Sequence, residues 1–128
     1  MTTNTDVGSQ HFPGAEPLRY RGVHAGHPAF AEALLGVVVP GDIHGSVTPW
    51  EHNEGGLAAF SPFTSWSTDR SRAEFHARKF GSGGVILVFP IGSPEPGDRW
   101  SWECSPDVYG ESELLLRGVR TGATVIAV

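Results

Sequence analysis

Apolar and polar positions change period several times along this chain, and each change marks an element. Leu18-Arg19-Tyr20-Arg21-Gly22-Val23 alternates, which predicts a strand with Arg19 and Arg21 on one face and Leu18 and Tyr20 on the other. Pro28 to Leu35 predicts a short helix, with Pro28 in its first turn and Gly36 at its C-terminal end. Val37-Val38-Val39 is a further candidate strand, stopped by Pro40-Gly41. Residues 41–62 are the least regular stretch. A loop of that length in a small domain is usually functional or disordered, but Trp50 argues for partial order and Leu57 to Phe60 for one helical turn.

The second half is clearer. Phe63 to Ser67 mixes bulk with small hydroxyls and predicts a strand that runs straight into a helix. Ser71 and Glu74 have capping-box spacing, and Asp69 adds a carboxylate near the start. Ala73, Phe75, Ala77 and Phe80 supply its apolar and small positions, and Gly81 stops it. Gly83 to Pro90 is a continuous apolar run, predicting a strand covered on both faces. Residues 93–107 form a Pro- and Gly-punctuated loop carrying Trp100, Trp102 and Cys104. Glu111 begins a strand through Leu116, and Thr124 to Val128 forms another. Gly118 and Gly122 bracket a hairpin-like connection between them.

Composition narrows the class. With 128 residues and 39% hydrophobic content, the chain suffices for one core. Seventeen glycines and ten prolines cut it into short elements, favouring many strands over long helices. Residues 1–17 read as a flexible leader or linker, and 18–128 as one domain. The net charge of −5 argues against a chain built to wrap duplex nucleic acid. The basic group Arg70, Arg72, Arg78 and Lys79 reads first as a solvated helix face. The single cysteine, Cys104, rules out an intrachain disulfide framework. No apolar run approaches membrane-spanning length, and residues 1–10 lack a signal-peptide core, so the chain is expected either to start in the cytosol or to be exported by a route that leaves no such signal.

Among candidate chemistries, His24, His27, His44 and His52 suggest a metal set, but no H-x-H, H-E-x-x-H or cysteine pair accompanies them, and no metal is expected. Ser65 with a histidine and an aspartate would make a hydrolase triad, yet the G-x-S-x-G elbow is absent. By period two, Glu111 and Glu113 share a strand face. Two like charges there serve either as edge-strand protection or as a site, and the residues alone leave both open.

The ordered set is more specific than its parts. Tyr20-Arg21-Gly22, Phe63-Thr64-Ser65-Trp66-Ser67 with Asp69 and Ala73, and Gly110-Glu111-Ser112-Glu113-Leu114-Leu115 together resemble the arginine-serine-glutamate class of mono-ADP-ribosyltransferases, including the tip domains of bacterial polymorphic toxins. The resemblance spans Leu18 to Val128. It implies an α+β fold, a small split β-sandwich of two packed, mostly antiparallel sheets with short helices. It departs from the family at Trp66, the centre of a motif that is usually Ser-Thr-Ser; on a strand that centre points away from Ser65 and Ser67.

The same resemblance implies NAD as co-substrate, with ADP-ribose passed to a macromolecular acceptor. Glu113 would stabilise the oxocarbenium-like ribose, Ser65 would donate to Glu113, and Ser67 would belong to the NAD site. Arg21 would fork onto the diphosphate and Gly22 would let the backbone approach the nicotinamide amide. Glu111 would orient or deprotonate the acceptor, and Tyr109 would touch it. A protein arginine is the favoured acceptor, and nucleic acid stays open. His52 and Asn53 read either as the adenosine side or as a turn, and Trp100 and Trp102 either as a recognition loop or as core. Two alternatives share the site: an NAD glycohydrolase with water as acceptor, and an inactive binding module with Arg21 and Glu113 as an ion pair. A toxin or effector of this kind would act in the cytoplasm of the producing or a target cell, delivered within a larger protein and matched by a cognate immunity protein.

Overall fold

A computed structural model describes residues 17–105 and 114–128. In chain order the elements are β1 (Leu18–Val23), α1 (Phe30–Leu34), α2 (Pro49–Glu54), a 3₁₀ turn (Ala58–Phe60), β2 (Phe63–Trp66), α3 (Arg70–Arg78), β3 (Val85–Pro90), β4 (Trp100–Cys104), β5 (Leu114–Gly118) and β6 (Thr124–Ala127). They build two three-stranded antiparallel sheets, ordered β1-β3-β6 and β2-β5-β4. The class is the expected one: α+β, with few short helices and two antiparallel sheets as in a small split sandwich.

The apolar run of β3 explains the layering. Val85 to Phe89 are all buried because β3 is the central strand of its sheet and both its faces are covered. Val85, Leu87 and Phe89 pack with Val23 of β1 and with Trp66 and Leu116 of the second sheet. Ile86 and Val88, on the opposite face, pack under Ala73 and Ala77 of α3. The order of layers is therefore α3, first sheet, second sheet.

The helix α3 lies unusually low on its sheet. A Cβ on Gly22 would stand 1.8 Å from the Ala73 carbonyl oxygen, and one on Gly84 would stand 2.1 Å from that of Ala77. At that separation only small side chains fit between helix and sheet. This corrects the expected apolar face: Ala73 and Ala77 are buried, whereas Phe75 and Phe80 are 65% and 75% exposed. The start of α3 is also corrected. Asp69 is the N-cap, and the Ser71 backbone N–H and hydroxyl both donate to its Oδ1, so Ser71 is inside the helix rather than its cap.

Three further expectations change. Val37 to Val39 form no strand; Val38 makes one isolated bridge to Arg120. Residues 100–104, assigned to a loop, form β4 and pair with β5. There Trp102 packs against the core and meets Trp66 edge-on at 5.8 Å, so both tryptophans of β4 line the core. Gly118 and Gly122 do not bracket a hairpin. β5 belongs to the second sheet and β6 to the first, so the connection crosses between sheets. Gly118 is needed there because its φ is +86° and a Cβ would meet the Arg99 carbonyl at 2.1 Å. Arg120, on this crossing, lays its guanidinium over Phe89 at 4.0 Å and Trp100 at 3.7 Å, closing one end of the core.

Among the described residues the two sheets meet edge to edge at one place. Tyr20 of β1 and Ser67, just past β2, exchange two backbone hydrogen bonds of 2.8 and 2.9 Å. Tyr20 and Gly22 face α3, so Arg21 between them faces the other way, on the side of Val23 and the second sheet.

Gly22→Ala tests the close approach of α3. Its methyl group has no room without lifting the helix, so a loss of about 3 kcal/mol is expected, at the top of the usual range for overpacking. Urea unfolding read by far-ultraviolet circular dichroism measures it. A loss below about 0.5 kcal/mol, typical of a surface substitution, would contradict the packing described.

Candidate functional site

Arg21, Ser65 and Ser67 converge at the seam between the sheets. The Arg21 Nη1 donates to the Ser65 carbonyl oxygen at 3.3 Å. Arg21 is half-buried, and packing of protein around its guanidinium lowers its pKa to about 10, leaving it a cation at neutral pH. Among the described residues no carboxylate forms an ion pair with it. A desolvated cation without a counter-charge is costly to hold, which makes this a place for an anion.

Ser65 and Ser67 have different surroundings. Ser67 is buried, and its hydroxyl accepts from the Asp69 backbone N–H at 3.0 Å, so it supports the turn into α3. Ser65 is half-buried, and its Oγ lies 3.0 Å from His52 Nε2. On the far side of the same ring, Nδ1 lies 2.7 Å from the Oγ of Ser61, which is fully buried. Trp66, between the two serines, turns to the opposite face as expected. It fills the core, and its Nε1–H donates to Thr64 Oγ1 at 2.9 Å.

His52 was not singled out for this position, although the signal was in the chain. Thr48-Pro49-Trp50-Glu51 is a capping box with proline at the first turn. The Thr48 hydroxyl accepts from Glu51 N–H at 3.2 Å, and a Glu51 carboxylate oxygen accepts from Thr48 N–H at 2.9 Å. Read as such, it predicts the helix α2 and places His52 on it. The Asn53 amide donates to the Ser105 hydroxyl, linking α2 to the end of β4. His52 also stands edge-on to Phe63 at 6.0 Å.

Burial first and the Arg21 charge second lower the His52 pKa, so the ring is neutral at neutral pH. His27 lies on the same side. Burial, then Arg21, His24 and Lys79, lower its pKa to about 4. Its Nδ1 accepts from the Ala29 backbone N–H at 2.9 Å, which requires an unprotonated nitrogen there. Two neutral imidazoles thus flank one cation. Asp69 is shifted the other way: the Ser71 hydroxyl and backbone N–H hold its carboxyl below the ordinary value.

Gly22 serves packing in this structure, since its Cα is pressed against the Ala73 carbonyl of α3. Glu111, Glu113 and Tyr109 lie outside the described residues. The strand that Glu113 immediately precedes in sequence, β5, is paired to β2, with Leu114 opposite Trp66 and Leu115 opposite Ser65. Among the described residues no group of three His, Cys, Asp or Glu side chains is arranged to hold a metal ion, and no helix is long and apolar enough to cross a membrane. No protein-family model, curated protein or solved structure matches the chain.

The neutral histidines make stability depend on pH. In the unfolded chain His27 takes up a proton near pH 6.5, and in the folded protein only near pH 4. Between those values the unfolded state binds more protons, so stability is full above about pH 6.5 and falls as pH drops toward 4. His52 acts in the same direction. His27→Asn, which keeps an acceptor for Ala29 N–H, should flatten this slope when denaturant midpoints are compared at pH 7, 5.5 and 4.5. An unchanged slope would show that His27 titrates normally.

Proposed function

We propose that this protein is an NAD-dependent mono-ADP-ribosyltransferase whose site lies at the seam between the two sheets. The observation that carries the reading is Arg21: a desolvated guanidinium, without a carboxylate partner among the described residues, bonded to the strand that presents Ser65. A diphosphate is the anion its planar fork fits best. Further support comes from the order of the elements. Arg21 on β1 and Ser65 on the adjoining β2 are distant in sequence and meet at the seam, and β5, the strand that Glu113 immediately precedes in sequence, pairs with β2.

In this reading the diphosphate of NAD pairs with Arg21. As the nicotinamide–ribose bond breaks, positive charge grows on the ribose, and a carboxylate from Glu113 stabilises it. Ser65 orients that carboxylate by donating its hydroxyl. Glu111 accepts the proton of the incoming nucleophile, for which an arginine side chain is the favoured class. With water as the nucleophile the same site is a glycohydrolase. Ser67 holds the turn behind the site, and a toxin or effector role, with an immunity protein as partner, goes with the transferase reading.

Incubation with NAD labelled in the adenosine moiety and a cell lysate tests this. Labelled protein is expected, and Glu113→Ala should lower the rate by about 100- to 1,000-fold. Arg21→Lys should weaken NAD binding by about ten- to a hundredfold, the worth of a lost charge-assisted hydrogen bond. Free ADP-ribose without labelled protein would point to the glycohydrolase. Absence of NAD binding by calorimetry in the folded protein would overturn both enzymatic readings and leave the binding module.

A further inference from the structure

The 3.0 Å contact between His52 Nε2 and Ser65 Oγ admits two opposite chemistries. If Nε2 is bare, it accepts the Ser65 proton, and the pair is a general base with a serine nucleophile. If Nε2 carries the proton, it donates to Ser65, and Ser65 must spend its own proton elsewhere. The ring is neutral, so only one nitrogen bears hydrogen, and the choice is made at the other end, at Ser61.

Ser61 Oγ accepts from the Phe63 backbone N–H at 3.1 Å and sits 2.7 Å from His52 Nδ1. Its residue is fully buried, so water does not take its hydroxyl proton. Were Nδ1 protonated, Ser61 Oγ would accept two N–H groups and its own O–H would have no acceptor among the described residues. A buried donor left unsatisfied is penalised more heavily than a hydrogen bond is worth. With Nδ1 bare, Ser61 donates to Nδ1 and accepts from Phe63, so the one proton that water cannot take is placed. Proton counting therefore selects the Nε2–H form.

We propose that His52 is a positioning residue: as the Nε2–H tautomer, held by Ser61, it donates to Ser65 Oγ and so turns the Ser65 hydroxyl into a donor aimed at a carboxylate or other acceptor in the site. The chain runs in one direction, from Ser61 O–H to His52 Nδ1 and from His52 Nε2–H to Ser65 Oγ, with the Ser65 proton at its open end. Ser65 is then not a nucleophile activated by His52, since Nε2 already carries a proton and cannot take another. The tautomer stands on the neutral ring and the hydrogen-bond geometry at Ser61, whereas the acceptor's identity as Glu113 rests on the transferase reading.

Two measurements separate these layers. Long-range nitrogen–proton correlation spectra of the full chain, labelled with nitrogen-15 at histidine, report the tautomer of each ring at neutral pH. His52 is assigned by the signal lost in His52→Gln. A ring protonated at Nε2 is expected, and Ser61→Ala should shift it toward a mixture of tautomers. A ring protonated at Nδ1, or an even mixture in the unaltered protein, overturns the proposal whether or not the protein turns over NAD.

NAD turnover then tests positioning. His52→Ala and Ser65→Ala should each lower kcat by about ten- to a hundredfold, and the double substitution should be no worse than Ser65→Ala alone, because His52 acts through Ser65. His52→Gln, whose amide offers one acceptor and one donor side by side, should restore most of the rate. Additive losses, or no rescue by Gln, count against the relay. Absence of turnover in the unaltered protein overturns the transferase reading but not the tautomer.

Discussion

The contact on which the rest depends is backbone against backbone: the Ala73 carbonyl of α3 lies where a side chain of Gly22 would be. A helix that close needs small residues on both sides, and Gly22, Gly84, Ala73 and Ala77 provide them. The consequence reaches the site through the pleat of β1. Since α3 occupies the face of Tyr20 and Gly22, the side chain of Arg21 has only the opposite face, which leads to the seam and Ser65. The helix is therefore not part of the chemistry, but it decides which way the cation points.

From the cation follows the state of its neighbours. Burial raises the cost of a positive charge on either ring, and the Arg21 guanidinium adds to that cost, so His27 and His52 stay neutral. A neutral imidazole has one donor and one acceptor, which gives the hydrogen bonds around it a direction. Buried Ser61 uses that direction to order the ring, and the ring orders Ser65. Burial, charge and hydrogen-bond polarity here are one linked set rather than three separate properties.

What could be read from the chain tracks how local its cause is. β1 and β3 were legible because alternation and a continuous apolar run depend on few neighbours. Trp66 was correctly turned away from Ser65 and Ser67 by strand period alone. β4 is obscured because the prolines and glycines before it mark a loop, and only its alternating tryptophans carry the strand period. The exposure of Phe75 and Phe80 depends on how low α3 sits, a tertiary fact with no trace in a helical pattern. Of the candidate site, the order of motifs along the chain singles out Arg21 and Ser65, and the structure brings these two into contact. The place of His52 beside Ser65 depends on the capping box of Thr48 and Glu51, which turns an otherwise irregular stretch into α2. Its bond to Ser61 also spans nine residues and two changes of direction.

The seam itself has a mechanical meaning. Four rungs join β2 to β5 and six join β1 to β3, but among the described residues only the Tyr20–Ser67 pair bridges the sheets side by side. A ladder one rung long resists splaying far less than its neighbours do. At this edge the backbone joins the two sheets through far fewer hydrogen bonds than it places within either sheet. A molecule gripping both banks would act as the missing rungs, stiffening the whole sandwich by filling its weakest joint.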